Sequence, residues 1–206
     1  MTFSVGITLG FLLLYYGSAL WLLRGGIRLQ ARALCIGGLM IALTLVLDAI
    51  RIPLPTGATM SLCSPVPLLL LAILVDSRLA IVSGWVCGVL ALFLSPAWQP
   101  VHWGQFFVEH MVCFSCLGFA GVFGSDRRWK ILCGIVLASV IKFLGHLLSG
   151  VLFFSQNAWD GWGAWGYSLG YNLSQNLPLC ILSGLIVLAL PLQMLRRTVG
   201  KELNPL

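Results

Sequence analysis

Glu109, Lys142 and His146 stand in stretches that are otherwise apolar, GQFFVEHMVCF and VIKFLGHLLSG. A carboxylate, an ammonium and an imidazole in such company can hold a charged ligand, neutralise one another or move protons. Lys142 and His146 are four residues apart, which puts them on one helical face about one turn from each other. Gly145 and Gly150 follow, small enough to admit a second helix or a ligand close to the backbone. A third stretch, WGYSLGYNLSQNLP, adds Tyr167, Asn172, Gln175 and Asn176. A spacing of five turns Asn172 well away from Tyr167, so the two border one cavity only if it is broad. Two readings stay open. Glu109 with Lys142 is a buried structural ion pair, or the carboxylate matches a positive ligand; the amides bond helices together, or face that ligand.

Other combinations carry less chemistry. The seven cysteines are an odd number scattered through apolar sequence, which reads as buried thiols rather than a disulfide framework. Cys113-x-x-Cys116 has the spacing of a redox pair, but in an apolar run it reads as packing. His102, His110 and His146 show no recognised ligand spacing with the cysteines, so no metal is assigned. An intramembrane enzyme built on Lys142, His146 and Glu109 would need a nucleophile, for which Ser149 is a weak candidate; no catalytic residue is assigned. The sequence has no G-x-x-x-x-G-K-[ST] loop, so energy from ATP would have to come from another polypeptide.

The elements that must position these residues follow from composition. Of 206 residues, 59% are hydrophobic and 9% charged, with a mean hydropathy of +0.99. A soluble domain needs about a quarter of its residues charged, whereas a bilayer removes that need and demands self-satisfied backbone. Long, unbroken apolar runs select helices over a barrel. Seven apolar segments are expected, at about 3–23, 33–50, 65–76, 79–95, 105–124, 131–154 and 165–195. The third is short, opens on Pro65 and Pro67, and should follow an irregular, partly buried loop; the seventh is long enough to tilt or turn, with Pro178 a candidate kink. The first segment has no basic n-region and no small-x-small cleavage site, so it is read as a retained helix.

Basic residues set the orientation. Arg24, Arg28, Arg32, Arg78, Arg127, Arg128, Lys130, Arg196, Arg197 and Lys201 fall on one side; Arg51 falls on the other, and Lys142 lies inside a span. This predicts an outside N-terminus and a cytoplasmic C-terminus, and it requires an odd number of spans. The net charge of +6 therefore reflects topology rather than nucleic-acid binding. The outside loops, 51–64, 96–104 and 155–164, hold Trp98, His102, Trp103, Trp159 and Trp162, which read as an interfacial belt, a lid over a pocket, or both.

The segments around the charged residues resemble the thiamine-binding S component of energy-coupling factor (ECF) transporters, bacterial membrane importers of vitamins. The likeness rests on EHMVCFSCLGFAGVF around Glu109, VIKFLGHLLSGVLFF around Lys142 and His146, and WGYSLGYN around Tyr167 and Asn172, with Lys-x3-His and Tyr-x4-Asn spacing, and covers about 33–195. It implies an all-α polytopic membrane bundle: a six-helix substrate-binding core over 31–206, preceded by an additional transmembrane helix within 1–30. It implies no enzyme, no cofactor, and thiamine as ligand. Glu109 then looks like the acid that meets the cationic vitamin, with Lys142, His146, Tyr167 and Asn172 as polar and stacking partners. Loop 51–64 looks like the gating loop. The coupling transmembrane protein and two ATPase subunits are implied as partners, docking through small residues for which Gly38 and Ala42 have the small-xxx-small spacing. The sequence departs from the family pattern in places. His110 stands where the family has a tyrosine and Phe154 where it has a tryptophan, so a related pyrimidine or thiazole compound stays in view. The family's first-loop tryptophan has no counterpart in 51–64, so another aromatic, with Trp98 the candidate, has to serve.

Thiamine offers a permanent thiazolium charge, a flat aminopyrimidine and a hydroxyl tail. A carboxylate matches the charge, and an aromatic face adds about 0.5–2 kcal/mol of cation–π attraction. Asn and Tyr can read the pyrimidine edge, where a missing partner leaves a costly unpaired group.

Overall fold

The structure, a computed structural model, describes residues 2–27, 30–94 and 100–203. Among these, five helices are long and apolar enough to cross a bilayer: α1 (Thr2–Leu23), α2 (Ala31–Ala49), α4 (Ser77–Leu94), α7 (Arg128–Phe153) and α8 (Gly163–Ala189). The 26 residues of α7 extend about 39 Å, more than the hydrocarbon thickness of about 30 Å. This is an all-α membrane bundle with one small exception.

That exception lies in 51–64. Strands β1 (Arg51–Pro53) and β2 (Thr59–Ser61) form an antiparallel hairpin, with Arg51 opposite Ser61. The turn between them uses Gly57 at φ +82°, a left-handed conformation that favours glycine. The irregular entry loop expected from sequence is therefore paired backbone. Next comes α3 (Pro65–Leu74), whose prolines occupy its first turn, where missing N–H groups cost nothing. At ten residues it reaches about 15 Å, too short to span alone. Its leucines instead fill the core: Leu68, Leu69 and Leu71 are buried.

The fifth apolar segment is not one continuous α-helix. It comprises α5 (Trp103–Gln105), a π-helical turn (Phe106–Met111), α6 (Val112–Ser115) and a 3₁₀ stretch (Cys116–Gly121). This narrow rod sits between α4 and α7, and glycines let it approach both. A Cβ on Gly84 would strike the backbone of Ser115, and one on Gly134 would strike that of Ala120. Small residues at such crossings replace the hydrophobic drive that lipid cannot supply.

The seventh segment also divides. α8 runs through Pro178 without stopping and ends at Ala189, and α9 (Leu192–Leu203) begins after Leu190 and Pro191. With Arg196 and Arg197 among its apolar residues, α9 is amphipathic. The end of the bundle where α4 and α7 begin carries Arg78, Arg127, Arg128 and Lys130 and is its basic end. Arg78 donates to the carbonyls of Gly25 and Gly26, and Asp76 caps α4 by accepting from the Arg78 and Leu79 amides at 2.7 and 3.0 Å. Nearby, Asp126 accepts from Lys130 at 2.9 Å, which holds its carboxyl below the usual carboxylate range. The hairpin lies at the opposite end.

Candidate substrate-binding site

At the hairpin end, α7, α8, the π-turn and the hairpin enclose a cavity of about 360 Å³. Glu109 enters it from the π-turn, and its two oxygens are held from three directions. Gln105 Nε2 donates to Oε2 at 2.9 Å, Ser149 Oγ donates to the same oxygen at 2.6 Å, and His146 Nδ1 lies 3.1 Å from Oε1. On the far side of the imidazole, Nε2 is 2.6 Å from Cys113 Sγ and 3.3 Å from Lys142 Nζ, and the ammonium is also 3.2 Å from that sulfur. A proton on Nδ1 satisfies this arrangement, since it donates to the carboxylate and leaves Nε2 to accept. The ion pair open from sequence is thus not a direct Glu109–Lys142 contact: the His146 ring stands between them.

This geometry has the outline of a nucleophile, a base and an orienting acid. The thiol, however, is 1% exposed and sits behind His146, off the cavity wall. A substrate in the cavity meets the imidazole before it meets sulfur, so the cluster is arranged for holding charge.

A second polar group closes the cavity beneath the hairpin. Arg51 Nη2 pairs with Asp48 at 2.5 Å, Asp48 Oδ1 accepts from Ser64 at 3.2 Å, and Ser64 bonds Ser61 at 2.7 Å. These contacts fasten the end of α2, the hairpin and the start of α3 together. At the hairpin tip, Thr56 Oγ1 meets Ser174 Oγ of α8 at 2.8 Å. The aromatic side is built by Phe154, Tyr167 and Tyr171, with Trp159 edge-on to Tyr167 at 5.2 Å between centroids.

The sequence model of a family described as thiamine transporter protein (Thia_YuaJ) matches residues 34–199. The chain belongs to this thiamine transporter family. It is a family of transporters, not of enzymes. Thiamine transporter ThiT of Bacillus subtilis (strain 168) is 24% identical over 164 residues, which cover 72% of this chain and 84% of that protein. The solved structure of ThiT from Listeria monocytogenes matches with a TM-score of 0.70 at 24% identity, over 83% of this chain and 96% of that one; this likeness concerns the fold. Helix α1 lies N-terminal to the residues matched by the family.

In this thiamine transporter family member, seven of the site residues expected from sequence border one cavity: Glu109, His110, Lys142, His146, Phe154, Tyr167 and Asn172. Trp98, the eighth, lies outside the described residues. Asn172 spends its amide nitrogen on Ser168 and on the His146 carbonyl, and its oxygen accepts from Gln175, so it joins α8 to α7 as well as lining the cavity. Gly38 and Ala42 are exposed on α2, with open space beside Gly38.

Cys113 corrects the expectation of simple packing. Cys116 is packed in the core, but Cys113 contacts both Lys142 and His146. The signal was its spacing of four from Glu109, which is also the spacing of Gln105 on the other side. Ser149 was weighed as a nucleophile, whereas here it donates to the carboxylate. Asp48 and Arg51 were missed because nothing in their spacing says the hairpin folds inward.

Proposed function

We propose that this chain captures thiamine from the outer face of a bacterial plasma membrane, as the substrate-binding subunit of an ATP-driven ECF importer. One observation carries the assignment: the Glu109 carboxylate is half-buried at a cavity wall, pre-oriented by Gln105, Ser149 and His146, with no lysine or arginine among the described residues directly paired to it. An anion already fixed by hydrogen-bond donors attracts a ligand cation without reorganising, the condition for tight and selective binding. Phe154 and Tyr167 border the same cavity and supply faces for a flat ring and a thiazolium. Lys142, His146, His110 and Asn172 complete the polar lining, and Trp98 is proposed as a further aromatic contact. Thr56 and Ser174 hold the hairpin against α8, which supports loop 51–64 as the gate.

The domain division follows the same reading: 31–206 is the substrate-binding unit and 1–30 an added helix. The N-terminus lies outside and the C-terminus in the cytoplasm, as the basic residues require. Energy comes from partner ATPases through a coupling membrane protein that docks on the open Gly38–Ala42 face of α2.

The test is a titration of detergent-purified protein with thiamine, followed by tryptophan fluorescence, with the separate pyrimidine and thiazole halves and thiamine phosphates as competitors. Saturable thiamine binding that is lost in Glu109→Gln is expected. Preference for one half over the whole vitamin would reassign the ligand to a pyrimidine or thiazole compound, and no binding to any of them would refute the proposal.

A further inference from the structure

Helix α1 lies outside the family match, yet its buried positions form a stripe at helical spacing: Thr8, Tyr15 and Ala19, flanked by half-buried Phe11, Leu12 and Tyr16. The opposite face, with Leu9, Leu13 and Leu20, is exposed as for a lipid-facing surface. Helix α1 packs against α7 and α4, and its two tyrosines reach the segment 103–121 at particular places. Tyr16 Oη donates to the carbonyl of Phe107 at 2.9 Å. Tyr15 Oη meets Ser115 Oγ at 2.5 Å, and Ser115 in turn donates to the carbonyl of Met111. Tyr15 also packs against Phe119, 5.8 Å between ring centroids.

Phe107 is the second residue of the π-turn and Met111 its last, and Glu109 is midway between them. A π-turn departs from the regular i to i−4 ladder, and such turns recur at functional sites. In hydrocarbon no water can serve a carbonyl that the ladder leaves short, so a neighbouring side chain has to. Tyr16 does this directly for Phe107; at Met111 the donor is Ser115, whose hydroxyl Tyr15 holds.

We infer that α1 acts as an in-chain clamp in which Tyr15, through Ser115, and Tyr16 are positioning residues that hold the π-turn presenting Glu109 and His110 to the cavity. This rests on the assignment of Glu109 to ligand binding, but the clamp has a signature independent of any ligand. Neither tyrosine borders the cavity, so their effect on binding passes through the turn.

The experiment uses the full chain with Tyr16→Phe, Tyr15→Phe and the double variant, alongside Leu13→Ala on the exposed face of α1. Amide hydrogen exchange of the ligand-free protein is read segment by segment. The double variant is expected to speed exchange in 107–112 about tenfold or more while α7 and α8 stay as protected as before. It is also expected to weaken thiamine binding about tenfold, the scale of one or two lost hydrogen bonds, with Leu13→Ala silent in both measurements. Unchanged exchange in 107–112, or an equal rise across all spans, would overturn the clamp. If the unaltered protein binds no thiamine, the functional assignment fails by itself and the exchange pattern still decides the clamp.

Discussion

The two halves of α7 differ in what they face. Toward the basic end, Ile131, Gly134, Ile135 and Ala138 pack against the 3₁₀ stretch so closely that a single added Cβ at Gly134 meets the Ala120 backbone. Toward the hairpin end, Lys142, His146 and Ser149 turn polar groups into or beside a cavity. One helix thus serves as a close-packed strut over half its length and as a binding wall over the other half. The lesson is that charge can sit at membrane depth here because the close-packed half supplies the rigidity. The cavity half, where Gly145 and Gly150 also bring neighbouring elements close, adds hydrogen bonds to keep the shape of its polar wall.

Substitutions around the cavity and at the close-packed end should therefore separate ligand affinity from stability. Glu109→Gln should show the largest effect, weakening thiamine binding by at least about 30-fold, as for loss of a buried charge partner, measured by fluorescence titration. Gly134→Val should do the reverse. Overpacking there costs about 1–3 kcal/mol, seen as a lower melting temperature in a thermal unfolding assay, while affinity measured well below melting stays unchanged. Weakened binding at constant stability would break the division between the halves. Tyr167→Ala should reduce affinity about three- to thirtyfold through lost stacking and cation–π attraction, with unfolding little altered. Thr56→Val should raise the thiamine dissociation rate about three- to tenfold in stopped-flow displacement, since it frees the hairpin from Ser174 while leaving the cavity wall intact.

The smallest effect belongs to Asp126, at the basic end and exposed. Lys130 lowers its carboxyl pKa, so the stabilising contribution is present above the ordinary carboxylate range and lost as pH falls through the lowered value. Asp126→Asn should erase that acid-range dependence and shift the neutral-pH melting temperature by about a degree or two, because exposed pairs contribute little. A shift as large as that of Gly134→Val would mean the basic end also depends on polar contacts.

Much of the fold was legible before any coordinates. Runs such as Phe3–Leu23 and the span holding Lys142 declare themselves because insertion into lipid acts on each segment separately. The short α3 was legible through Pro65 and Pro67, although the burial of its leucines was not. Glu109, Lys142 and His146 stood out because an ionisable group in apolar sequence has to be accounted for. The π-turn was invisible, as FFVEHM has no proline or glycine to interrupt a regular helix and the Phe107 carbonyl is met by Tyr16 of α1, far away in sequence. The hairpin was equally hidden, since its place over the cavity depends on Ser174 of α8, more than a hundred residues later.

By itself, then, the sequence determined that the chain lives in a bilayer, where its long apolar helices fall, and that a few charged groups lie within apolar segments. Those facts depend on transfer of each segment from water to hydrocarbon, which is a local quantity. The tertiary structure decided that Glu109 meets His146 rather than Lys142, that Cys113 joins them, and that Tyr15 and Tyr16 of α1 reach the segment that carries Glu109. Those outcomes depend on distances between helices, which packing sets to tenths of an ångström and no spacing along the chain encodes.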